Sequence, residues 1–330
     1  LIRCAGLGDR AMTAGMVSYA LAPRINASGR MGCAQVAVEL LLTREQPRAE
    51  ELAQTLCQLN RERQTVEGEI FQESVRRLEQ APQKDVIVLA DRSWHQGVVG
   101  IVASRLAEKY GCPVFMICLD KGLGKGSCRS WGGRNLFEML SQCVPLLENF
   151  GGHALAAGFT VREENIPALA AALRRAAREQ GEPQPTVLSV DAEVSPTELT
   201  VPAVEALDAL EPCGAGNPRP LFLLRGMQVQ SASQVGRGRH LKLKLESRGT
   251  ALEAIWFSVG GEPGLTPGCR VDVVFSPQIN EFRGMRSVQL QIADLQLAPS
   301  RAQLERAVYE KFSRGGHLTA GGARFLLPRR

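Results

Sequence analysis

Residues 48–80 constrain the fold most, because this stretch has the composition of one uninterrupted helix. It is rich in Glu, Arg, Gln, Ala and Leu, and it contains no proline and a single glycine, Gly68. Its apolar residues recur at helical intervals of three, four and seven positions: Leu52, Leu56, Leu59, Val66 and Ile70. At 1.5 Å per residue the helix would be about 50 Å long, more than a compact domain needs. Since its other faces are heavily charged, the stretch predicts a helix that bridges two domains.

The segment after this helix alternates between short apolar runs and amphipathic stretches. Apolar runs predict strands at residues 86–90 and 113–119, and residues 125–130 and 158–161 resemble further strands. Helices are predicted at residues 97–110, at 136–149 with an interruption at Pro145, and at 166–180, which is amphipathic. Strands that alternate with helices indicate an α/β layer domain of about 100 residues.

Strand patterns dominate beyond a linker-like GEPQP at residues 181–185. They predict strands at residues 187–194, 221–232, 240–245, 252–258, 270–276 and 287–297. The leucines of HLKLKLE face one way and its lysines, Lys242 and Lys244, face the other. With one helix at residues 202–210, this pattern predicts a small barrel, and the oligonucleotide-binding (OB) fold fits it best. A further helix is expected to begin at residue 299.

Composition excludes several classes of protein. Of 330 residues, 44% are hydrophobic and 22% are charged, which argues against a disordered chain. No apolar run approaches the roughly 18 residues that span a bilayer, and the first residues lack the parts of a secretory signal. Nine cysteines are scattered without a CxxC pair, so neither disulfides nor a cysteine zinc site are expected. We expect a cytoplasmic protein with no membrane partner, in which Leu1 lies inside a longer reading frame or follows a processing site.

The net charge of +5 is mild, but basic residues are concentrated in two places. Residues 219–248 hold seven basic residues against one acid, and residues 121–134 hold four basic residues and no acid. Such patches favour a polyanionic partner, with nucleic acid as the first candidate. An ordinary solvated surface explains the charge pattern alone equally well.

Two glycine-rich segments carry donors suited to phosphate. In SWHQGVVGIVASRL, residues 93–106, His95 stands just before a predicted helix start, where backbone N–H groups can bind an anion. In GKGSCRSWGGRN, residues 124–135, glycines surround Ser127, Arg129 and Ser130. An arginine fork and hydroxyls bind phosphate well. Tight packing of a strand on a helix would also explain residues 93–106. An ordinary glycine-rich turn would explain residues 124–135, but the density of donors there favours phosphate binding.

Two further segments are weaker candidates. ENFGGHALAAGF, residues 148–159, places Gly151, Gly152 and His153 after a predicted helix, where a helix cap would equally explain the glycines. LAPRINASGRMG, residues 21–32, is equally consistent with phosphate binding and with a polar loop before a helix.

The sequence also lacks the motifs of a hydrolytic site. DHH, DxD, HExxH and GxSxG are all absent, so the residues themselves predict no catalytic group and no metal ligand. The chain is therefore expected to hold the recognition half of a phosphate-directed site without its hydrolytic half.

Several long motifs occur in the order found in the RecJ family of single-strand-specific exonucleases, within the DHH phosphoesterase superfamily. The segments quoted above, together with AVELLLT, LNRERQTVE and EPCGAGNPRPLF, resemble that family over essentially the whole chain. The resemblance implies five parts: residues 1–46 as a C-terminal remnant of the DHH catalytic domain, 47–80 as a connecting helix, 81–182 as the DHH-associated α/β domain, 183–298 as the OB domain, and 299–330 as the start of a helical segment.

The resemblance also implies an activity: 5′-to-3′ degradation of single-stranded DNA in recombination and repair, with Mn²⁺ or Mg²⁺ as cofactor. Arg129 and Ser130 would hold the terminal 5′-phosphate with help from Arg24 or Arg30, while the Gly-Gly-His turn would lie against the substrate phosphate. The family's metal ligands would lie upstream of residue 1, so the chain alone is expected to be inactive or nearly so. The resemblance suggests a monomer, and a single-strand-binding protein or a repair helicase is a candidate partner.

The residues and the resemblance together give two sets of candidate site residues. The phosphate-binding set is Arg24, Asn26, Arg30, His95, Ser127, Arg129, Ser130, Gly151, Gly152 and His153. The set for nucleic-acid binding on the barrel is Arg237, Arg239, His240, Lys242 and Lys244.

Two other functions stay open at this point. One is a non-catalytic module that binds single-stranded nucleic acid through the barrel. Its candidate stacking residues, several of them expected in the core, are Phe222, His240, Trp256, Phe257, Phe275 and Phe282. The other is a DHH-family phosphodiesterase for small nucleotides, which is less favoured because a small substrate needs no extended basic stretch.

Overall fold

The computed structural model describes residues 1–8, 12–183, 187–236, 238–257, 259 and 264–299. The chain divides into two compact units, Leu1–Val187 and Leu188–Arg330. Arg237 and the helix predicted after residue 299 lie outside the described residues. Within the described ranges, no helix combines the length and the apolar character of a membrane span.

The first unit begins with helices. They are α1 (Ala14–Met16), a π-helical turn (Val17–Leu21), α2 (Ala22–Arg30), α3 (Ala34–Leu42) and α4 (Gln46–Gln80). The predicted long helix is confirmed as the 35-residue α4, and its proline lies in the first turn, where no N–H is required. The alternative of a polar loop at residues 21–32 is wrong, because most of this segment forms α2, which also has a proline in its first turn.

An α/β layer follows. Its elements are β1 (Ile87–Asp91), α5 (Gln96–Tyr110), β2 (Val114–Asp120), β3 (Leu123–Arg129), α6 (Leu136–Ser141), β4 (Leu147–Gly152), β5 (Ala156–Arg162) and α7 (Ile166–Glu179). The strand order is β1-β2-β3-β5-β4, with β1 and β2 parallel and the other pairs antiparallel. Of the helix predicted at 136–149, only Leu136–Ser141 is α-helical. The expected interruption at Pro145 is a 3₁₀ turn, Val144–Leu146, but the chain then enters β4 and does not return to a helix.

Hydrophobic clusters cover both faces of this sheet. On one face, Phe115 and Phe159 pack with α6 and α7, and their rings lie 5.9 Å apart. On the other face, Met116 packs with α5 and the second half of α4. Strand β3 is therefore held between the two layers, and each of its side chains faces one of them.

The second unit is a closed barrel. Its elements are β6 (Ala192–Glu193), α8 (Val201–Glu205), β7 (Phe222–Val235), β8 (His240–Ser247), β9 (Thr250–Trp256), β10 (Arg270–Phe282) and β11 (Met285–Leu297). The order β10-β11-β9-β8-β7 closes through β10 and β7, and β9 and β11 pair in parallel. This five-stranded closure agrees with the predicted OB fold. Within the predicted strand 187–194, only Ala192–Glu193 is β-structure.

Glycines of the first sheet provide a matched test of its packing. A Cβ on Gly126 would lie 2.1 Å from the ring of Phe159, which is buried in the core, whereas a Cβ on Gly151 would meet nothing within 4 Å. We expect Gly126→Ala to destabilise the first unit by about 1–3 kcal/mol through overpacking. Gly151→Ala should stay within about 0.5 kcal/mol of the wild type. Urea unfolding followed by circular dichroism measures both, and equal effects would contradict this packing.

Candidate nucleic-acid interface

Strand β3 directs two polar side chains toward helix α5. Cys128 packs in the core beside α6 and α7, so its neighbours Ser127 and Arg129 face the opposite way. A Cβ on Gly100 of α5 would lie 2.9 Å from Ser127 Oγ and 3.2 Å from Arg129 Nη2. Glycine at this position lets the hydroxyl and the guanidinium pack directly on the backbone of the helix.

Arg129 is a partly buried cation that forms no ion pair among the described residues. Its Nη1 donates to Ser127 Oγ at 3.3 Å and to the carbonyl of Cys128 at 2.8 Å. Burial lowers the pKa of the Arg129 guanidinium, and the like charge of Arg30 lowers it further. Arg129 is thus a partly desolvated cation with a second cation nearby and no acid paired with it among the described residues, and a bound phosphate would stabilise it.

Helix α2 brings Arg30 to the same place. Arg30 is the last residue of α2, and its Nη1 donates to the carbonyl of Gly97 at 3.2 Å. A Cβ on Gly97 would lie 2.1 Å from the carbonyl oxygen of Arg30, so glycine is required for this approach of α2 to the first turn of α5. The structure therefore brings Arg30 and Arg129 together beside that turn.

The other two candidates on α2 differ in their surroundings. Arg24 is partly buried, and its Nη1 donates to the carbonyl of Ala20 at 2.5 Å. Its Nε is buried without a hydrogen-bond partner, which costs about 1–3 kcal/mol. Asn26 is exposed on the same helix. Because this Nε is enclosed by the protein, a ligand oxygen would reach it only after the Arg24 side chain moves.

His95 caps α5. Its Nδ1 accepts the backbone N–H of Gly97 at 3.1 Å. An imidazole whose Nδ1 accepts carries its proton on Nε2, so this half-buried ring has an N–H donor on its other side.

A network of charged groups on α4 fixes the loop before α5. Arg77 forms ion pairs with Glu73 and Asp91. Trp94 Nε1 donates to Glu73 at 2.9 Å, and the N–H and hydroxyl of Ser93 donate to Asp91 at 2.8 and 2.6 Å. Sequence reasoning missed this network, because no local motif links an α4 carboxylate to an indole 21 residues later.

The Gly-Gly-His segment forms the turn between β4 and β5, next to β3. Arg129 pairs with Ala156 on β5, and the N–H of His153 donates to the carbonyl of Ala156 at 2.9 Å. Gly152 has a φ of +142°, and a Cβ there would lie 2.5 Å from the backbone of β5. These glycines end a strand, so the helix-cap explanation is wrong. Gly151 and His153 are exposed, and β5 lies between Gly151 and the strand that carries Arg129.

Ser130 differs from the other candidates, because the protein uses both of its donors. Its hydroxyl donates to the carbonyl of Arg134, and its N–H donates to the carbonyl of Leu155 at 3.0 Å. These bonds brace the end of β3 against the β4–β5 turn. The phosphate contact of Ser130 stays a prediction, and Ser127 is the hydroxyl that faces the arginine.

Ion pairs reduce the basic patch of the second unit. Three of its basic residues meet acids from outside the local stretch: Arg219 meets Glu211, Arg225 meets Glu193, and Lys242 meets Glu253. The charge count within residues 219–248 therefore overestimated the net positive charge of this surface. Ion pairs with acids elsewhere in the chain cannot be read from that stretch of sequence alone.

Two of the predicted barrel cations form no ion pair among the described residues. Lys244 is exposed on β8 between Ser231 of β7 and Glu253 of β9, and the carboxylate of Glu253 pairs with Lys242 instead. Arg239 is exposed in the turn before β8. His240 is half-buried, and its ring meets that of the exposed Phe257 edge-on at 5.1 Å. The outer side of β8 thus combines cations with an aromatic pair at its rim.

The other suggested stacking residues whose side chains the structure describes lie in or against the barrel core. Phe275 is fully buried, Phe222 packs beside it at 6.2 Å, and Trp256 is partly buried. His240 and Phe257 are therefore the better candidates for stacking with bases.

The described residues do not fit a divalent metal ion. Across these ranges, no group of three or more His, Cys, Asp or Glu side chains is placed to hold one. The Mn²⁺ or Mg²⁺ that the resemblance implies has no donor set among the described residues.

Two known domain families match this chain. Residues 83–179 match the DHHA1 domain, and residues 190–294 match the RecJ OB domain. The α/β layer and the closed barrel are thus a DHHA1 domain followed by an OB domain, as the predicted fold class states.

Curated relatives from three bacteria carry the name single-stranded-DNA-specific exonuclease RecJ. The Bacillus subtilis protein is 36% identical, with 84% of this chain and 36% of the relative aligned. The Thermus thermophilus protein is 37% identical, with 84% and 40% aligned. The Escherichia coli protein is 33% identical, with 89% and 53% aligned.

Solved structures agree with these relatives. The crystal structure of RecJ from Thermus thermophilus in complex with Mg²⁺ matches with a TM-score of 0.77 at 35% identity, over 90% of this chain and 46% of that one. The Mn²⁺ complex of the same protein gives the same score. The chain belongs to the RecJ family. It spans between 36% and 53% of the length of these three relatives.

The network before α5 predicts a pH dependence of stability. Burial tends to raise the pKa of Asp91, but hydrogen bonds from Ser93 and Arg77 outweigh it, and the pKa is about 2. A lowered carboxyl pKa stabilises the fold above the unfolded value and loses this effect as the pH falls through the folded value. We therefore expect the wild type to exceed Asp91→Asn in stability by about 2 kcal/mol near neutral pH, with the gap closing toward about pH 2.

Urea unfolding of both proteins across this pH range measures the gap, and the comparison cancels the titration of other groups. A gap that is constant with pH would contradict the role of the Asp91 charge.

Proposed function

We propose that this chain is the strand-recognising part of a RecJ-type exonuclease, which degrades single-stranded DNA from the 5′ end in recombination and repair. The observation that carries the proposal is the uncompensated charge of Arg129, which packs on α5 with Ser127 and lies near Arg30. Two arginines, a hydroxyl and the first turn of a helix suit a terminal phosphate, which carries more charge than an internal phosphodiester. The names of the relatives support DNA as the polyanion.

In this proposal each group has a separate task. Arg129 and Arg30 neutralise the 5′-phosphate, Ser127 donates one neutral hydrogen bond, and Arg24 assists with the charge of its guanidinium. His95 offers Nε2–H at the start of α5, and the exposed Gly151 and His153 border the strand. These residues bind and orient the DNA, and they offset negative charge on it during hydrolysis.

The barrel would hold single-stranded DNA through the outer side of β8. Lys244 and Arg239 supply charge for the backbone, and the His240–Phe257 pair offers ring surface for a base. Without a 5′-phosphate site, this surface alone would make the chain a non-catalytic binding module, which is the main alternative. A small-nucleotide phosphodiesterase would not require the barrel surface at all.

The remaining expectations extend the same proposal. The domain boundaries are those implied by the family, the protein works in the cytoplasm as a monomer, and a single-strand-binding protein or a repair helicase is its partner. Cleavage uses Mn²⁺ or Mg²⁺ with ligands that precede the segment described here. The metal complexes of the Thermus thermophilus relative support this part.

Arg129→Ala tests the 5′-phosphate site. Loss of a charged hydrogen-bonding partner should weaken binding of a 5′-phosphorylated oligonucleotide by about tenfold to a hundredfold. Binding of the same strand with a 5′-hydroxyl should change much less, so the preference for the phosphate disappears. Fluorescence anisotropy with both oligonucleotides measures this.

The matched control is Arg178→Ala, which removes an exposed arginine that is already paired with Asp85 on another element. It should keep the preference for the phosphate. If Arg129→Ala keeps that preference as well, the site is not at Arg129 and the binding-module alternative is favoured.

Two substitutions with opposite expected effects on DNA affinity test the barrel surface. Lys244→Ala should weaken binding of single-stranded DNA and lower the salt slope of log K by about 0.7, the value for one phosphate contact on a single strand. Glu253→Gln removes an acid from the same face and frees Lys242, so it should tighten binding. Affinities measured from low to moderate salt give both results, and effects of the same sign would contradict this surface.

A further inference from the structure

Strand β3 presents a third polar side chain in line with the two at the phosphate site. Lys125, Ser127 and Arg129 are alternate residues of β3, so they share one face of the sheet. The glycines between them point the other way, since a Cβ on Gly124 or Gly126 would strike core side chains. Residues on one face of a strand are about 6.6 Å apart along it.

The Arg129 guanidinium is closer to Lys125 than the Arg129 Cα is, because the side chain runs back along the strand. The guanidinium lies beside Ser127 Oγ, so the positive charge sits at the level of Ser127 and not at its own Cα. Lys125 is the next residue on this face. One same-face step along β3 therefore separates the two cationic positions, a distance comparable with one nucleotide of an extended strand.

Lys125 is exposed and forms no ion pair among the described residues. Its neighbours across β5 and β4 are neutral, since it pairs with Thr160, which pairs in turn with Asn149. Asp120 on β2 lies diagonally opposite and is not within ion-pairing distance of it. The charge of Lys125 is thus available to a ligand.

Beside Lys125, Ser127 and Arg129, the next strands of the sheet carry small residues at the level of Ser127. Ser127 pairs with Gly158, which pairs with Gly151, and both glycines are exposed. A Cβ on Gly151 would meet nothing within 4 Å. A sugar–phosphate chain can therefore run along the β5 side of β3 without meeting side chains of β5 or β4 at this level. Met116 of β2 and helix α5 occupy the other side of this row of three residues.

We propose that Lys125 binds the first internal phosphodiester of a strand whose 5′-phosphate lies at Arg129, so that β3 holds two consecutive phosphates. This inference rests on the proposed function. It divides the work between two cations: Arg129 recognises the terminal phosphate, and Lys125 adds affinity whichever group ends the strand.

Single neutral methylphosphonate linkages test which phosphate Lys125 binds. Four 5′-phosphorylated oligonucleotides are compared: one unmodified, and one each with the neutral linkage at the first, second or fourth internal position. Lys125→Ala should weaken binding of the unmodified strand by about threefold and lower the salt slope by about 0.7. On the strand with the neutral first linkage, Lys125→Ala and the wild type should bind with equal affinity. On the strand with the neutral fourth linkage, Lys125→Ala should again bind about threefold more weakly than the wild type.

Lys109→Ala is the matched control, because Lys109 is an exposed lysine in the last turn of α5 and its removal changes the net charge equally. It should leave every affinity within about twofold of the wild type. Thermal unfolding of both variants checks that the fold is kept.

The proposal is overturned if Lys125→Ala binds the unmodified strand as tightly as the wild type does. It is also overturned if the loss disappears when the 5′-phosphate is removed, since Lys125 would then serve the terminal group. Failure of the proposed function looks different: Arg129→Ala would then keep the preference for a 5′-phosphate, whatever Lys125→Ala does.

Discussion

The close packing of helix α5 against two neighbours is the constraint on which the candidate site depends. Gly97 allows the end of α2 to approach the first turn of α5, and Gly100 allows Ser127 and Arg129 of β3 to lie on its backbone. A side chain at Gly97 would strike the backbone of Arg30 and push α2 away, whereas a side chain at Gly100 would displace the Ser127 hydroxyl and the Arg129 guanidinium. Through these two positions, arginines that are 99 residues apart in sequence lie near each other.

The charges of the first unit show why this place is unusual. On α4, Glu67 pairs with Arg63 and Arg105, and Arg77 pairs with Glu73 and Asp91. Arg129, in contrast, is partly buried with only neutral acceptors among the described residues. A desolvated cation without a counterion is costly, and a protein retains such a group where a ligand supplies the missing charge.

The sequence predicted the fold well where the signal was local. The periodicity of residues 48–80 and the alternation in HLKLKLE correspond to α4 and β8. Errors arose in two polar or proline-containing segments. The interruption expected at Pro145 is present as a 3₁₀ turn, but the chain continues beyond it as strand β4 and not as helix. The polar segment at 21–32 is mostly helix, and its proline lies in the first turn.

The site could be predicted by residue type but not by contact. The glycine-rich segments were singled out, and the structure brings Arg30, His95, Ser127 and Arg129 around the start of α5. Pairings between distant elements could not be read from the sequence. They include the hydrogen bond from the Ser130 N–H to Leu155, the neutralisation of Lys242 by Glu253, and the network of Arg77 before α5.

A crystal structure of the chain with a short 5′-phosphorylated oligonucleotide tests the central claim most directly. The account predicts the terminal phosphate within hydrogen-bonding distance of the Arg129 guanidinium and Ser127 Oγ, with Arg30 beside it. A terminal phosphate bound elsewhere, with the Arg129 side chain still held only by Ser127 and the Cys128 carbonyl, would contradict it.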